Sequence, residues 1–371
     1  MKMSFRWYGD GNDTVSLDQI RQIPGVETIV WSLHHKQAGE VWSEEEIAAE
    51  VAKITELTPE HRAAGVTKTF DATVVESVNV HESIKVGKTV LGLSRDDAIA
   101  NYVTTLERLG RAGVKVVCYN FMPVFDWLRT DLWHPLPDGS TALYYEKAVV
   151  DALTPEKLIE DMAAGSQGLT LPGWEPERLA HFGELNDAYQ GVTHADMYEN
   201  YRYFLEAVIP TCEEYDIELA VHPDDPAFDL FGWPRVVSTR EHLATVLSLN
   251  DSPYHGLTLC LGSFSSNVEA DGVAAVRTFM DRIHFTHVRN IKHLPGGDFT
   301  EVAHRANEGS VDTVGVMRAY AEADYAGYIR PDHGRHLWDE NTTNRPRPGY
   351  GLYDRALGIQ YLLGVWDACR S

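Results

Sequence analysis

Eight short runs rich in aliphatic and β-branched residues recur along this chain, and a charged stretch with helical spacing follows each of them. That alternation confines the chain to folds built from successive βα units around a parallel sheet. The strands are predicted at residues 5–8, 28–33, 72–76, 115–119, 218–222, 258–261, 283–288 and 328–330. Eight such units suggest an α/β fold of the closed (β/α)8-barrel type, although a doubly wound open sheet has the same local pattern.

Helix openings agree with the strand pattern. Ser43 precedes Glu44, Glu45 and Glu46, so a serine cap and a glutamate three residues on can satisfy each other's backbone N–H groups ahead of apolar Ile47, Val51 and Ile54. Ser94 with Asp96 and Asp97 repeats the device. Further helices are predicted near 16–22 and over 198–215, 240–249, 270–280, 312–324 and 352–368. Residues 123–197 break the repeat with Pro123, Pro135, Pro137, Pro155, Pro172 and Pro176. They are predicted to be an insertion after the fourth strand, overhanging the barrel mouth as a lid or an oligomer contact, with a non-catalytic decoration equally open. The 371 residues fit one decorated barrel, so 1–371 is read as a single catalytic domain, with two domains as the second reading.

The charge balance excludes one class of partner. With 55 acidic and 32 basic residues the formal charge is -23, and no basic run compensates it, which opposes nucleic-acid binding. The same field repels a small carboxylate, so an anionic substrate needs local positive charge at its site. Cys118, Cys212, Cys260 and Cys369 are dispersed without a CxxC pair, the pattern of reduced thiols in a cytoplasmic protein. No apolar window approaches the roughly 18 residues of a membrane span, so no membrane segment is expected.

Active sites of barrels form at the C-terminal ends of the strands. The fifth strand ends in His222-Pro223-Asp224-Asp225, the sixth carries Cys260, the seventh ends at His287-Val288-Arg289, and the eighth runs into Arg330-Pro331-Asp332-His333-Gly334. One metal-capable group per strand gives His222, Cys260, His287 and Asp332. This mixed nitrogen, sulfur and oxygen set suits Fe(II), Mn(II), Co(II) or Zn(II) better than magnesium. Singly, each is more often a hydrogen-bonded strand-end histidine or a buried small hydrophobe; four on consecutive strands carry the argument. His284, three residues before His287, faces the other side of its strand. In the first half, His35, His81 and Asn120 are candidates for binding hydroxyl groups and Trp7 for packing on a carbon chain, with ordinary packing as the competing role. His34 and His35 point to opposite faces, so one of the two at most belongs to a site.

Several of these segments together resemble one family. Arg6-Trp7-Tyr8-Gly9, Leu33-His34-His35 leading into Gly39-Glu40-Val41-Trp42-Ser43, Val75-Glu76-Ser77 with His81-Glu82, Val117 through Pro123, Ala220 through Pro226 and Arg330 through Gly334 are similar, in order and almost end to end, to D-mannonate dehydratases. The resemblance implies a xylose-isomerase-like barrel, dependent on Mn2+ or Fe2+, that converts D-mannonate to 2-keto-3-deoxy-D-gluconate and water in hexuronate catabolism, and a homo-oligomer. It supports metal ligation by His222, Cys260, His287 and Asp332. It also points to His333 and Tyr350 as the acid–base pair, with Tyr353 competing for the second place. Arg289 and Arg330 are candidates to offset the substrate carboxylate, a structural salt bridge being an equal reading for each. Two alternatives stand beside this: a metal-dependent sugar isomerase or epimerase on the same fold, and a non-catalytic sugar-acid-binding barrel.

Overall fold

In the computed structural model, which describes residues 1–152, 154, 157, 160 and 180–371, all eight predicted strands form. Twelve strands are present among these residues: β1 (Lys2–Arg6), β2 (Val26–Trp31), β3 (Asp71–Glu76), β4 (Val116–Tyr119), β5 (Asp131–Pro135), β6 (Thr141–Tyr145), β7 (Glu218–Val221), β8 (His255–Cys260), β9 (Ile283–His287), β10 (Asn290–His293), β11 (Phe299–Val302) and β12 (Tyr328–Arg330). Eight of them close in the order β1-β2-β3-β4-β7-β8-β9-β12, parallel throughout. The pairs Lys2 with Tyr328 and Met3 with Ile329 seal the ring and exclude the open sheet.

Alternation along the strands sorts the side chains into two cores. Val30, Val74, Val116, Cys118, Ala220, Phe285 and Tyr328 pack together inside the barrel, separate from the larger core in which Ile29, Trp31, Val75, Val117, Leu219 and Leu259 join the helices. Helix starts follow the caps. Ser43 and Glu46 form the reciprocal box that opens Glu44–Thr55, and Ser94 caps Arg95–Arg111. The helix predicted from 198 begins earlier, at His194, because Thr193 and Asp196 form a further capping box.

Two strand boundaries differ from expectation. The first strand stops at Arg6 rather than Tyr8, because the chain turns through Gly9 at φ 88° while Asp13 Oδ2 accepts from the Tyr8 N–H at 2.9 Å. The strand expected at 258–261 starts at His255, since Gly256 is there for close packing rather than for a turn: a Cβ on it would lie 2.2 Å from His284 Nε2 and 2.4 Å from the Arg282 carbonyl oxygen.

The predicted insertion holds the β5–β6 hairpin and the helices Lys147–Ala152 and Phe182–Ala188, while Pro155, Pro172 and Pro176 lie outside the described residues. The hairpin does not stand alone. A second hairpin, β10–β11, leaves the barrel after β9 and completes an antiparallel sheet in the order β10-β11-β6-β5. Phe299 and Tyr145 are paired in register, and their rings stack at 5.0 Å and 12°. All four cysteines are free thiols, and among the described residues no helix is long and apolar enough to cross a membrane.

Replacing Gly256 with alanine forces a methyl group into the contact with His284. It is expected to lower the unfolding free energy by about 1–3 kcal/mol. Urea melts of G256A beside the parent read this directly, and an unchanged midpoint contradicts the close packing.

Candidate active site

The strands β7, β8, β9 and β12 are neighbours in the ring, so their C-terminal ends meet at one part of the rim. Donor atoms of His222, Cys260 and His287 lie within 4.8 Å of one another. Asp332 Oδ2 joins them, 3.5 Å from Cys260 Sγ and 3.7 Å from His287 Nδ1. Each donor is aimed by its surroundings. The Pro223 carbonyl accepts from His222 Nδ1 at 2.7 Å, which turns Nε2 toward Cys260 and the rest of the cluster. Asp224 pins the following loop by accepting from Val237 N and Ser238 Oγ, each at 2.7 Å. Cys260 opens a one-turn helix, Leu261–Phe264, whose Ser263 hydroxyl donates to its sulfur at 3.2 Å. Asp332 sits in the left-handed region at φ 63°, a conformation costly for a residue with a side chain and frequent at functional positions.

The donor chemistry fits a cation. Both ring nitrogens of His287 are buried without a hydrogen-bond partner, and burial pushes this imidazole well below its ordinary pKa, so it is neutral. Burial would raise the Asp332 carboxyl, but the surrounding positive charge, Arg330 first and Arg289 with it, holds it well below the usual carboxylate range. A second group, Glu76, Cys118 and His287, also lies within 4.8 Å. It is the weaker candidate: burial pushes the Cys118 thiol well above its ordinary range, and Glu76 Oε1 is already held by Arg330 at 2.9 Å.

Beside the cluster opens a cavity walled by Arg6, Tyr8, Asn120, Trp127, Arg330, His333 and Tyr350 among others. His333 Nε2 lies 3.0 Å from the Tyr350 hydroxyl, which is 3.5 Å from Asp332 Oδ1. Burial, with Tyr8 and Asp332 nearby, pushes the Tyr350 phenol well above its ordinary pKa, so it keeps its proton. Tyr353 is elsewhere, packed edge-on against Trp338 at 4.8 Å.

Of the other residues singled out in the sequence, Asn120 and Arg330 line the cavity. Trp7 does not: its indole is buried and donates to the Val15 carbonyl at 3.1 Å, and Tyr8 faces the cavity instead. His35 lies beyond the end of β2, its side chain 62% exposed and paired with Glu46 at 2.8 Å. His81 is a helix cap, accepting from Ser83 N at 3.2 Å. Arg289 sits behind the cavity wall, donating to Asp332 (2.9 Å), Glu301 (2.9 Å), Asp225 (2.8 Å) and Ser263 (2.8 Å). His284 lies toward the opposite end of the barrel, 3.6 Å from Glu218.

Several site residues were not among the candidates chosen from the sequence. Arg6 ends β1 with Nη1 buried and unpartnered, its Nη2 3.3 Å from Ser77 Oγ, and the strand-end rule applied to the first strand would have found it. His34, rather than His35, turns inward, against Arg6 and Tyr8. Glu301 on β11 meets His333 Nδ1 at 2.7 Å, and no local pattern announces it. Arg129, from the insertion, reaches Asp225 at 2.8 Å and Glu301 at 3.0 Å.

The family model of D-mannonate dehydratase (UxuA) matches residues 1–371, the whole chain. The chain belongs to the D-mannonate dehydratase family. It is 52% identical over 371 residues to the mannonate dehydratase of Endomicrobium trichonymphae, covering 99% of this chain and 96% of that one. The crystal structure of mannonate dehydratase from Streptococcus suis serotype 2 superposes with a TM-score of 0.82 at 39% identity, covering 100% of this chain and 93% of that one. A xylose isomerase domain protein from Planctomyces limnophilus, at a TM-score of 0.53 and 12% identity over 99% of this chain and 98% of that one, shares the fold alone. As a D-mannonate dehydratase family member the chain is a hydro-lyase, which sets aside the non-catalytic barrel.

Arg129→Met strands two buried carboxylates, Asp225 and Glu301, with Arg289 as their remaining guanidinium. The expected loss is about 3–5 kcal/mol of stability. Chemical denaturation checks it, and a loss below about 0.5 kcal/mol, the range of ordinary surface changes, contradicts the network's role.

Proposed function

We propose that this enzyme dehydrates D-mannonate to 2-keto-3-deoxy-D-gluconate and water in hexuronate breakdown, using Mn(II) or Fe(II) held by His222, Cys260, His287 and Asp332. The observation that carries the reading is the convergence of those four donors beside the His333–Tyr350 pair in one polar cavity. Family membership supports the substrate, and the nitrogen, sulfur and oxygen donor set supports a transition metal over magnesium.

A proton on C2, beside a carboxylate, is weakly acidic, and hydroxide leaves C3 poorly. The metal, when bound, supplies Lewis-acid stabilisation of the negative charge that develops as the C2 proton departs. The residues of the chain divide the proton work. His333, with Nε2 turned to the cavity side, takes the C2 proton; Tyr350, kept protonated by burial, gives its proton to the departing C3 hydroxyl, which leaves as water. The pair is 3.0 Å apart, so the proton gained by the imidazole can restore the phenol. The enol left behind tautomerises, C3 gaining a proton as the C2 hydroxyl gives one up, and becomes the 2-keto acid with no net change in protons.

Arg6 and Arg330 each keep a buried guanidinium N–H without a partner at the cavity wall. They are the groups that offset the substrate carboxylate against a chain of charge -23, and Asn120 is placed to bind a hydroxyl. Trp7, His35 and His81 have no part in this assignment, and Arg289 acts behind the wall. The whole chain is taken as one catalytic unit. A homo-oligomer rests on the family resemblance, and a cytoplasmic location on the four dispersed, unpaired cysteines.

The test is turnover of D-mannonate by metal-stripped protein, with and without added Mn(II) or Fe(II), following the 2-keto-3-deoxy acid. Metal-dependent product is expected; a folded protein giving no product with either metal, or an isomer of unchanged formula, contradicts the proposal. In the same series Cys260→Ser is expected to weaken metal retention by about tenfold or more. Unchanged metal content and activity in that variant remove Cys260 from the ligand set.

A further inference from the structure

We infer that Glu301, supplied by the accessory sheet rather than by the barrel, is a positioning residue that orients His333 for proton transfer; this rests on the acid–base reading of His333 and Tyr350 given above. Glu301 Oε1 lies 2.7 Å from His333 Nδ1, and His333 Nε2 lies 3.0 Å from the Tyr350 hydroxyl, so the three form a continuous chain. A carboxylate can only accept, so the hydrogen between Glu301 and His333 belongs to Nδ1. In the neutral imidazole, Nε2 then presents its lone pair toward Tyr350 and the cavity, as a base must. The ring's other close neighbours, Trp127 at 6.1 Å and Tyr350 at 4.7 Å between centroids, do not by these contacts distinguish one ring nitrogen from the other.

Glu301 is itself held on two sides. Its Oε1 accepts from Arg129 Nη2 at 3.0 Å and from Arg289 Nη1 at 2.9 Å. Its backbone is fixed in β11, where Ile291 of β10 pairs with Glu301 and the two preceding residues, Thr300 and Phe299, pair with Tyr144 and Tyr145 of β6. Arg289 also donates to Asp332 at 2.9 Å, so one guanidinium sets the histidine's orienting carboxylate and a candidate metal ligand in a common frame.

A purely structural role accounts poorly for this carboxylate. Asp225 already faces Arg129 and Arg289, and Asp332 faces Arg289 and Arg330, so the arginines have anionic partners without a third acid. Glu301 is only 2% exposed, and its Oε2 is buried without a hydrogen-bond partner, a burden that stability alone does not favour. The contact with His333 is what distinguishes it.

The test compares Glu301→Asp and Glu301→Gln in the metal-loaded enzyme turning over D-mannonate. E301D keeps the charge facing Arg129 and Arg289 but withdraws the carboxylate by about one methylene, roughly 1.5 Å. It is expected to lower kcat by about 100-fold, within the range of a misplaced general base, with KM within about threefold. E301Q loses the charge but keeps an acceptor, and because one oxygen faces both arginines and His333, the amide oxygen must occupy that place. E301Q is therefore expected to retain at least about tenfold more kcat than E301D, with metal content of both near the parent and both folded at the assay temperature. The inference is overturned if E301D keeps kcat within about threefold, if both variants lose kcat equally, or if the loss merely tracks lost metal or lost folded protein. His333→Asn in the same assay separates the two levels. An active H333N removes the acid–base reading itself, whereas an inactive H333N beside a fully active E301D removes only the role of Glu301.

Discussion

Arg289 gives up its water shell to sit behind the barrel mouth, and the rest of the site is arranged around that cost. A buried guanidinium is tolerable only when acceptors satisfy it, and here they converge from separate parts of the chain: Asp225 from the loop after β7, Ser263 from the turn after β8, Glu301 from β11 and Asp332 from the loop after β12. Gly262 is part of the same arrangement, because a Cβ there would stand 2.4 Å from the arginine side chain. The loops are thus locked to one another by charge as well as by the ring of strands beneath them. Burial, normally hostile to carboxylates, is overridden by this network, so Asp225 and Asp332 stay ionised where a cation or a proton acceptor needs them.

Much of this was legible in the sequence because it depends on local pattern. The eight strands announce themselves through β-branched runs, and barrel closure turns four strand ends into one site, which is why His222, Cys260, His287 and Asp332 could be named together. Tyr350 followed from the family resemblance, and the structure separates it from Tyr353. Small errors in register had larger consequences. Ending β1 at Arg6 brings Arg6 and Tyr8 to the cavity and turns Trp7 into the core, and ending β2 at Trp31 leaves His35 outside, beside Glu46.

The accessory sheet was only half legible. The prolines break the βα repeat, but β10 and β11 are four-residue strands, and what makes them strands is pairing with each other and, through β11, with β6, some 150 residues away in sequence. Glu301 and Arg129 inherit that obscurity, since neither carries a local signature and both acquire meaning only when the fold brings them to Asp225, His333 and each other. The sequence does explain why such positive groups are needed: with a charge of -23 the chain repels anions at a distance, and Arg6 and Arg330 supply local positive charge at the cavity wall.

The four neighbouring strand ends are proposed to build one metal centre, and its ion can be located directly. Anomalous X-ray diffraction from crystals of the enzyme grown with Mn(II) tests it most directly. The account predicts a single manganese peak within bonding distance, about 2.0–2.5 Å, of His222 Nε2, Cys260 Sγ, a ring nitrogen of His287 and a carboxylate oxygen of Asp332. A peak bound instead by Glu76 and Cys118, or no manganese at this part of the rim, contradicts it.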